Sequence, residues 1–269
     1  MSIHPTAIVA PGAVLGQNVV VGPFAIIEDA VTIGDDCRID SHAIIKSNTR
    51  LGARNHVHSH ALVGGDPQDL KYHGEESWLE IGDDNRIREF ATLHRGTEGG
   101  GGVTRVGNNN LLMAYTHVAH DCQLGNGIIM SNNATLAGHV TVADYAIIGG
   151  LSAVHQFVRI GTHAFVGGVT GVPQDVPPWM LVAGSRGSVR GPNIVGLRRA
   201  GASREAVAGI KYAFRTLWWS GLLRADALDK IMNEYGNIKE VAQFVDFVRT
   251  SQRGICPVEK AIGSEKSEA

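Results

Sequence analysis

The sequence predicts an all-β plus α protein: a parallel β-helix of hexapeptide repeats followed by a C-terminal α-helical domain. Two observations carry the β-helix. An aliphatic side chain returns at every sixth position over long stretches of the first 172 residues, and 34 glycines accompany few aromatics. A period of six fits no α-helix, whose apolar stripe recurs at 3.6. It fits short strands joined by tight turns, each repeat sending one branched residue inward. The third observation carries the helices: beyond Ser203 the spacing of apolar residues becomes helical.

The repeat opens at Ile3 and runs through Val9, Leu15, Val21, Ile27, Ile33, Ile39, Ile45, Leu51 and Val57 to Val63. It resumes at Ile81, Ile87 and Leu93, and again from Val106 through Val118, Leu136 and Val154 to Val172. The residue four after each aliphatic is usually small. Cys37 and Cys122 occupy that slot and read as packing atoms. Three repeats, 18 residues, make one coil, and coils stack at the strand spacing of about 4.8 Å. The repeat is interrupted at 64–80 and at 94–105. "EGGGGV" in the second interruption lacks the Lys-Ser/Thr of a phosphate cradle and reads as a flexible loop. "PQDVPPWM" is a proline-rich exit. Val207, Ile210, Phe214 and Leu217 then share a helical face between an N-cap at Ser203 and a stop at Gly221. Shorter helices are expected near 225–235 and 238–251. The expected organisation is a β-helix over 1–190, a helical domain over 191–257 and a frayed polar tail over 258–269.

Bulk properties narrow the function. A formal charge of -2 over 269 residues leaves no nucleic-acid footprint. No apolar stretch approaches the ~20 residues of a membrane span, and "MSIHPTAIV" lacks the features of a signal peptide. Three cysteines, Cys37, Cys122 and Cys256, form no CxxC pair, so a reducing, cytoplasmic setting is expected.

Eighteen-residue winding stacks residues 18 apart. His120, Gly138 and Gln156 therefore share a column, with His139 and His155 beside it and His117 just before it. Two chemistries suit four imidazoles on one edge. His120 can act as a general base that activates an alcohol for acyl transfer, with the Gly138 N–H receiving the oxyanion. Alternatively the imidazoles bind zinc, as in trimeric β-helical carbonic anhydrases. A scaffolding solenoid is the third possibility, and it leaves the cluster unexplained. Asp121 orients His120 only if the chain turns there, because neighbouring strand residues point oppositely. A flat prism face makes a poor pocket, so a second copy of the chain is expected to supply the other wall.

"HPTAIV", "QDLKY", "HRGT", "NLLM", "HVAHDC", "NNATLAGHV", "AIIGG", "AVHQF" and "QDVPP", in this order, closely resemble the acyl-[acyl-carrier-protein]–UDP-N-acetylglucosamine O-acyltransferase family of lipid A biosynthesis, over about residues 3–254. The resemblance implies left-handed β-helices in a cytoplasmic homotrimer. It also implies transfer of an (R)-3-hydroxyacyl group from acyl carrier protein to the glucosamine 3-position of a UDP-sugar. No cofactor or metal and no membrane insertion are implied. By the same resemblance His120 is the general base and Gly138 the oxyanion donor. His117, His139, His155 and Gln156 would contact substrate, as would Asp69 and Lys71 in "QDLKY" and Asn193 and Arg199 in "GPNIVGLRRAG". Gly168 would limit acyl length, glycine leaving room for a longer chain. Arg198, Arg199, Arg204, Lys211 and Arg215 offer a basic landing surface for an acidic carrier. Arg186, Val195 and Ala200 depart from the residues of better-known members. They bear on the nucleotide contacts, on acyl length, and on whether the acceptor is the ordinary sugar or its 3-amino analogue.

Overall fold

The computed structural model describes residues 1–259. The chain winds as a left-handed parallel β-helix with three faces, of eleven, nine and eight strands. Most strands are two residues long. Register confirms the winding: Val20 pairs with Arg38, His117 with Thr135 and Thr141 with Arg159, each 18 residues on. We number the faces in chain order. The first corner joins the first and second faces, the second corner joins the second and third, and the third corner closes the prism.

The repeat residues line the interior. From Val21 to Val172 they are buried, while Ile3 is exposed and Val9 and Leu15 are half-buried at the open N-terminal end. Ala25, Cys37, Ala43, Ala61, Cys122, Ala134 and Ala146 fill the small slot, all buried. Each coil turns at a residue three after the aliphatic one. Twenty-one non-glycine residues there take φ between 53° and 65°. Asn, Asp, His and aromatic residues dominate these corners. Short polar groups tolerate the left-handed region, and the rings stack along the axis, as Phe24, His42, His60, Phe90 and Tyr115 do on the first corner.

Both interruptions leave from the second corner and are shorter than the sequence suggests. Strands Leu62–Gly65 and Trp78–Ile81 confine the first to 66–77, and strands Thr92–His94 and Val103–Val106 confine the second to 95–102. Backbone pairing continues into each insertion because its ends are still in register with the coils on either side. Leu79 accordingly pairs with Thr49, 30 residues earlier, and Thr92 with His117, 25 residues later. A buried ladder of Asn55, Asn85 and Asn110 crosses these irregular coils, each side-chain oxygen accepting an N–H of the next level.

Beyond Val172, strands Met180–Ala183 and Ser188–Pro192 form a hairpin, the one antiparallel pair among the described strands. Four helices follow among the described residues: α1 (Ile194–Arg199), α2 (Arg204–Trp219), α3 (Arg224–Tyr235) and α4 (Lys239–Arg249). The Ser203 side chain caps α2 by accepting from Ala206 N–H, and Gly221 lies just past its end at φ 73°. α1 is too short to give a periodic signal. The tail departs from expectation at its start: Val258 bridges to Val189. Residues 260–269 lie outside the described residues.

Candidate functional site

The second corner carries both insertions, and there the polar side chains converge. Asp121 sits at the corner with φ 62°, so the chain turns between His120 and Asp121 and the two side chains meet. Asp121 Oδ2 lies 2.8 Å from His120 Nδ1. The carboxylate is buried to 4% exposure, yet saturated: Thr97 donates its N–H to Oδ1 and its hydroxyl to Oδ2, and the Asp121 N–H donates to Thr104 Oγ1. A carboxylate fixed in this way accepts Nδ1–H. It leaves His120 Nε2 with a free lone pair.

His139 is one coil above Asp121. Its ring stacks on Phe157 at 4.4 Å and meets His120 edge-on at 5.1 Å. His117 accepts from or donates to Thr92 Oγ1 at 2.7 Å and packs edge-on against His94 at 4.9 Å. Burial, with His120 adding to it, holds His117 below the ordinary histidine range. Burial also lowers His139, against the opposing pull of Asp121. His94 is pushed down to about 4, chiefly by burial and then by His117 and His120. The corner thus favours neutral imidazoles around His120.

Gly138 lies directly over His120. A Cβ there would stand 2.6 Å from His120 Cε1 and 2.7 Å from Nε2, so any side chain would displace the ring. Among the described residues the Gly138 N–H has no acceptor. From His117 a lane of small outward residues, Thr135, Ala153 and Gly171, runs up the second face in direct register. It forms an apolar groove of about 390 Å³, closed above by the hairpin turn, where Ser185 O stands over Gly171 and Arg186 lines the wall.

The insertions roof the corner. Arg95, 7% exposed, pairs with Asp66, donates to Tyr72 Oη at 3.1 Å and reaches Ser47 O at 2.9 Å. It thereby ties the first insertion to the second and to the coil below. Asp69 sits half-buried and Lys71 exposed in the tied loop, Asp69 Oδ1 accepting the Lys71 N–H in a tight turn.

The sequence columns therefore meet as expected for His117, His120, Gly138 and His139, and the turn at Asp121, on which its contact with His120 depended, is present. His155 and Gln156 lie one coil above Gly138, and Arg253 from the end of the helical domain approaches His155 Nδ1 at 2.8 Å. Asn193 and Arg199 are elsewhere. They line a pocket of about 750 Å³ on the first face with Tyr145, His163 and Phe165, beside the third corner. Asn193 caps α1 and donates to His163 O at 3.0 Å. One chain alone does not bring them to His120, because they stand on another edge of the prism. Gly168 is exposed on the first corner, flanking the upper end of the lane. Sequence reasoning missed His94, Arg95, Thr97, Asp66 and Tyr72. Insertions break the 18-residue count, and only the polar run "HRGT" marked the place.

Ligand atoms of His120, Asp121 and His139 lie within 4.8 Å of one another, the geometry of a metal group. The donor set argues against that use. Both Asp121 oxygens already accept from Thr97, which is no metal ligand, and His120 Nδ1 is held by one of them.

Comparison with known proteins follows the same outline. The family model described as Udp N-acetylglucosamine O-acyltransferase, domain 2, matches residues 175–256, and the bacterial transferase hexapeptide model matches 104–138. The chain is 55% identical over 255 residues to the acyl-[acyl-carrier-protein]--UDP-N-acetylglucosamine O-acyltransferase of Anaeromyxobacter sp. (strain K), covering 95% of this chain and 99% of that protein. It is 50% identical to the protein of the same name from Xylella fastidiosa (strain Temecula1), covering 93% and 96%. Its fold is similar to that of LpxA from Acinetobacter baumannii, with TM-score 0.93, 41% identity and coverage of 95% and 100%. The LpxA of Bacteroides fragilis gives 0.92, 43%, 94% and 99%.

Proposed function

The chain belongs to the acyl-[acyl-carrier-protein]–UDP-N-acetylglucosamine O-acyltransferase family, and from that premise we propose that the second corner carries out its acyl transfer, with His120 as general base. It is an acyltransferase of the first step of lipid A biosynthesis. The acceptor is the 3-hydroxyl of UDP-N-acetylglucosamine, and the donor is an (R)-3-hydroxyacyl thioester on acyl carrier protein.

His120 Nε2 takes the hydroxyl proton as the sugar oxygen attacks the thioester carbonyl carbon. The oxyanion is received by the Gly138 N–H. The C–S bond then breaks, and the thiolate leaves with the proton returned from His120. Asp121 holds the imidazole in the required tautomer throughout. The acyl chain lies along the lane of Thr135, Ala153 and Gly171, with Gly168 beside its far end. Asp69 and Lys71 meet the nucleotide sugar from the roofing loop, and His117, His139, His155 and Gln156 meet the reacting groups. Asn193 and Arg199 join them from a neighbouring copy in a cytoplasmic homotrimer, whose first face walls the second face of this one. The observation that carries the reading is the Asp121–His120–Gly138 stack: a fixed carboxylate, a base with a free nitrogen, and an unpaired amide in line.

The test is acyl transfer from hydroxyacyl carrier proteins of several chain lengths to UDP-N-acetylglucosamine by wild type and His120→Ala. The variant is expected to lose about 10³-fold in kcat while keeping its trimer. Activity within a few-fold of wild type would remove His120 as the base.

A further inference from the structure

A second histidine–carboxylate group stands away from the second corner, on the lower coils of the first face. His56 and His58 are two apart on one strand end and so project to the same side. Their rings stack at 3.8 Å. Asp40 Oδ2 lies 2.7 Å from His56 Nε2 and 3.6 Å from His58 Nδ1, and Glu89 Oε1 lies 3.7 Å from the same Nδ1. Ligand atoms of Asp40, His56 and His58 all fall within 4.8 Å of one another. A tetrahedral zinc ion with ligands at about 2.0–2.1 Å needs donor atoms about 3.3 Å apart, so these separations bracket the requirement.

We propose that Asp40, His56 and His58 form a binding site for a divalent transition-metal ion of the zinc class, which Glu89, outside that group of three but 3.7 Å from His58, completes from the next coil, so that the ion clamps three successive coils of the β-helix. Two imidazoles and two carboxylates are the donor set such ions select over magnesium or calcium, which favour all-oxygen sites. The carboxylates are aimed by cations on their far sides. Arg38 Nε donates to Asp40 Oδ1 at 2.7 Å, leaving Oδ2 toward the imidazoles. Arg88 grips both Glu89 oxygens, at 2.9 and 3.0 Å. Such partners orient metal ligands. The ligands come from consecutive levels. Ile39, Val57 and Ile87 are direct register partners, and Asp40, His58 and Glu89 follow them by one, one and two residues. The Val57–Ile87 step is the one lengthened by the first insertion, so an ion here would fasten the coils where the winding is irregular. Binding only to the wound chain stabilises it by mass action. None of the four residues belongs to the His120 corner, and the site does not depend on the acyl-transfer mechanism.

The test uses the full chain stripped with chelator, then titrated with Zn²⁺ by calorimetry and with Co²⁺ by visible absorption. Wild type is expected to take up one equivalent per chain. The cobalt form should show the intense absorption of four-coordinate geometry, and the unfolding midpoint should rise by several degrees. His56→Ala/His58→Ala should lose the equivalent and the shift while acyl-transfer turnover stays at the wild-type rate. Asp40→Asn, the milder change, should weaken binding at least about tenfold. His139→Ala should bind as wild type does. No bound equivalent in wild type overturns the site, as does binding that survives in the double variant or vanishes in His139→Ala.

Discussion

Two groups of the same composition, one Asp and two His, stand on different parts of the prism. In the His120 corner, Asp121 is 1% exposed at its side chain and spends both oxygens on Thr97 and His120. In the first-face group, Asp40 is 19% exposed at its side chain, and its Oδ2 faces both rings. The rings differ as well. His120 and His139 meet edge-on at 90°, with a glycine over His120 and the insertions above, whereas His56 and His58 lie stacked at 22°, half-buried on the first face. Composition thus does not decide the chemistry. What decides it is whether both carboxylate oxygens are held by groups other than the imidazoles, and whether space has been left beside the free nitrogen. A carboxylate so held, as Asp121 is by Thr97, with a vacancy beside the base suits proton transfer. One whose second oxygen meets only two rings, as Asp40 Oδ2 does, suits an ion.

The largest effect that separates the two groups should come from their carboxylates. Asp121→Asn preserves shape but can offer an amide N–H to His120, reversing the tautomer. Its kcat is expected to fall about 10²–10³-fold, with far-ultraviolet dichroism unchanged. Asp40→Asn should leave turnover at the wild-type value. Equal turnover in the two variants would mean that Asp121 does no more than support the loop through Thr97.

A smaller effect is expected from the vacancy itself. The Gly138 φ is not in the left-handed region, so Ala is conformationally acceptable there, and the penalty falls on the ring 2.6 Å away. Gly138→Ala should lower kcat about 10²-fold with little change in the unfolding midpoint. A loss confined to KM would place the methyl in the path of the sugar instead of against His120.

The sequence made some of this readable and hid the rest for physical reasons. Aliphatic residues at a period of six dictate the coil, and a coil of 18 dictates that His120 lies under Gly138. That arithmetic needs no side-chain geometry. The role of Asp121 depended on a left-handed φ at a non-glycine residue, and strand alternation alone argues against it. The corner rule, a turn three residues after each aliphatic, would have resolved it. Arg95, Thr97 and Asp66 were hidden because coils of 30 and 25 residues carry no column count. Asn193 and Arg199 came from resemblance. Their position on another edge is invisible to any count within one chain, since it acquires meaning only when a second copy is laid against the first.

His94 supplies the smallest and most specific contrast. It is buried at 5% exposure with no partner for Nδ1, and its pKa is pushed from 6.5 down to about 4. The unfolded chain therefore binds a proton on this ring between about pH 6.5 and 4 that the folded chain refuses. Stability contributed by the neutral ring is fully present above pH 6.5 and is lost progressively as pH falls toward 4, by on the order of 3 kcal/mol. His117 and His139 are lowered as well and act in the same direction. In the first-face group, burial, then His56 and Arg88, lower His58 against Glu89 and Asp40, but it is more open to water. Unfolding midpoints measured from pH 7.5 to 4.5 should therefore fall steeply for wild type and less steeply for His94→Gln, whereas His58→Gln should follow wild type closely. If His94→Gln keeps the full acid slope, protons enter elsewhere first, and the burial of the second corner does not set the acid limit of the fold.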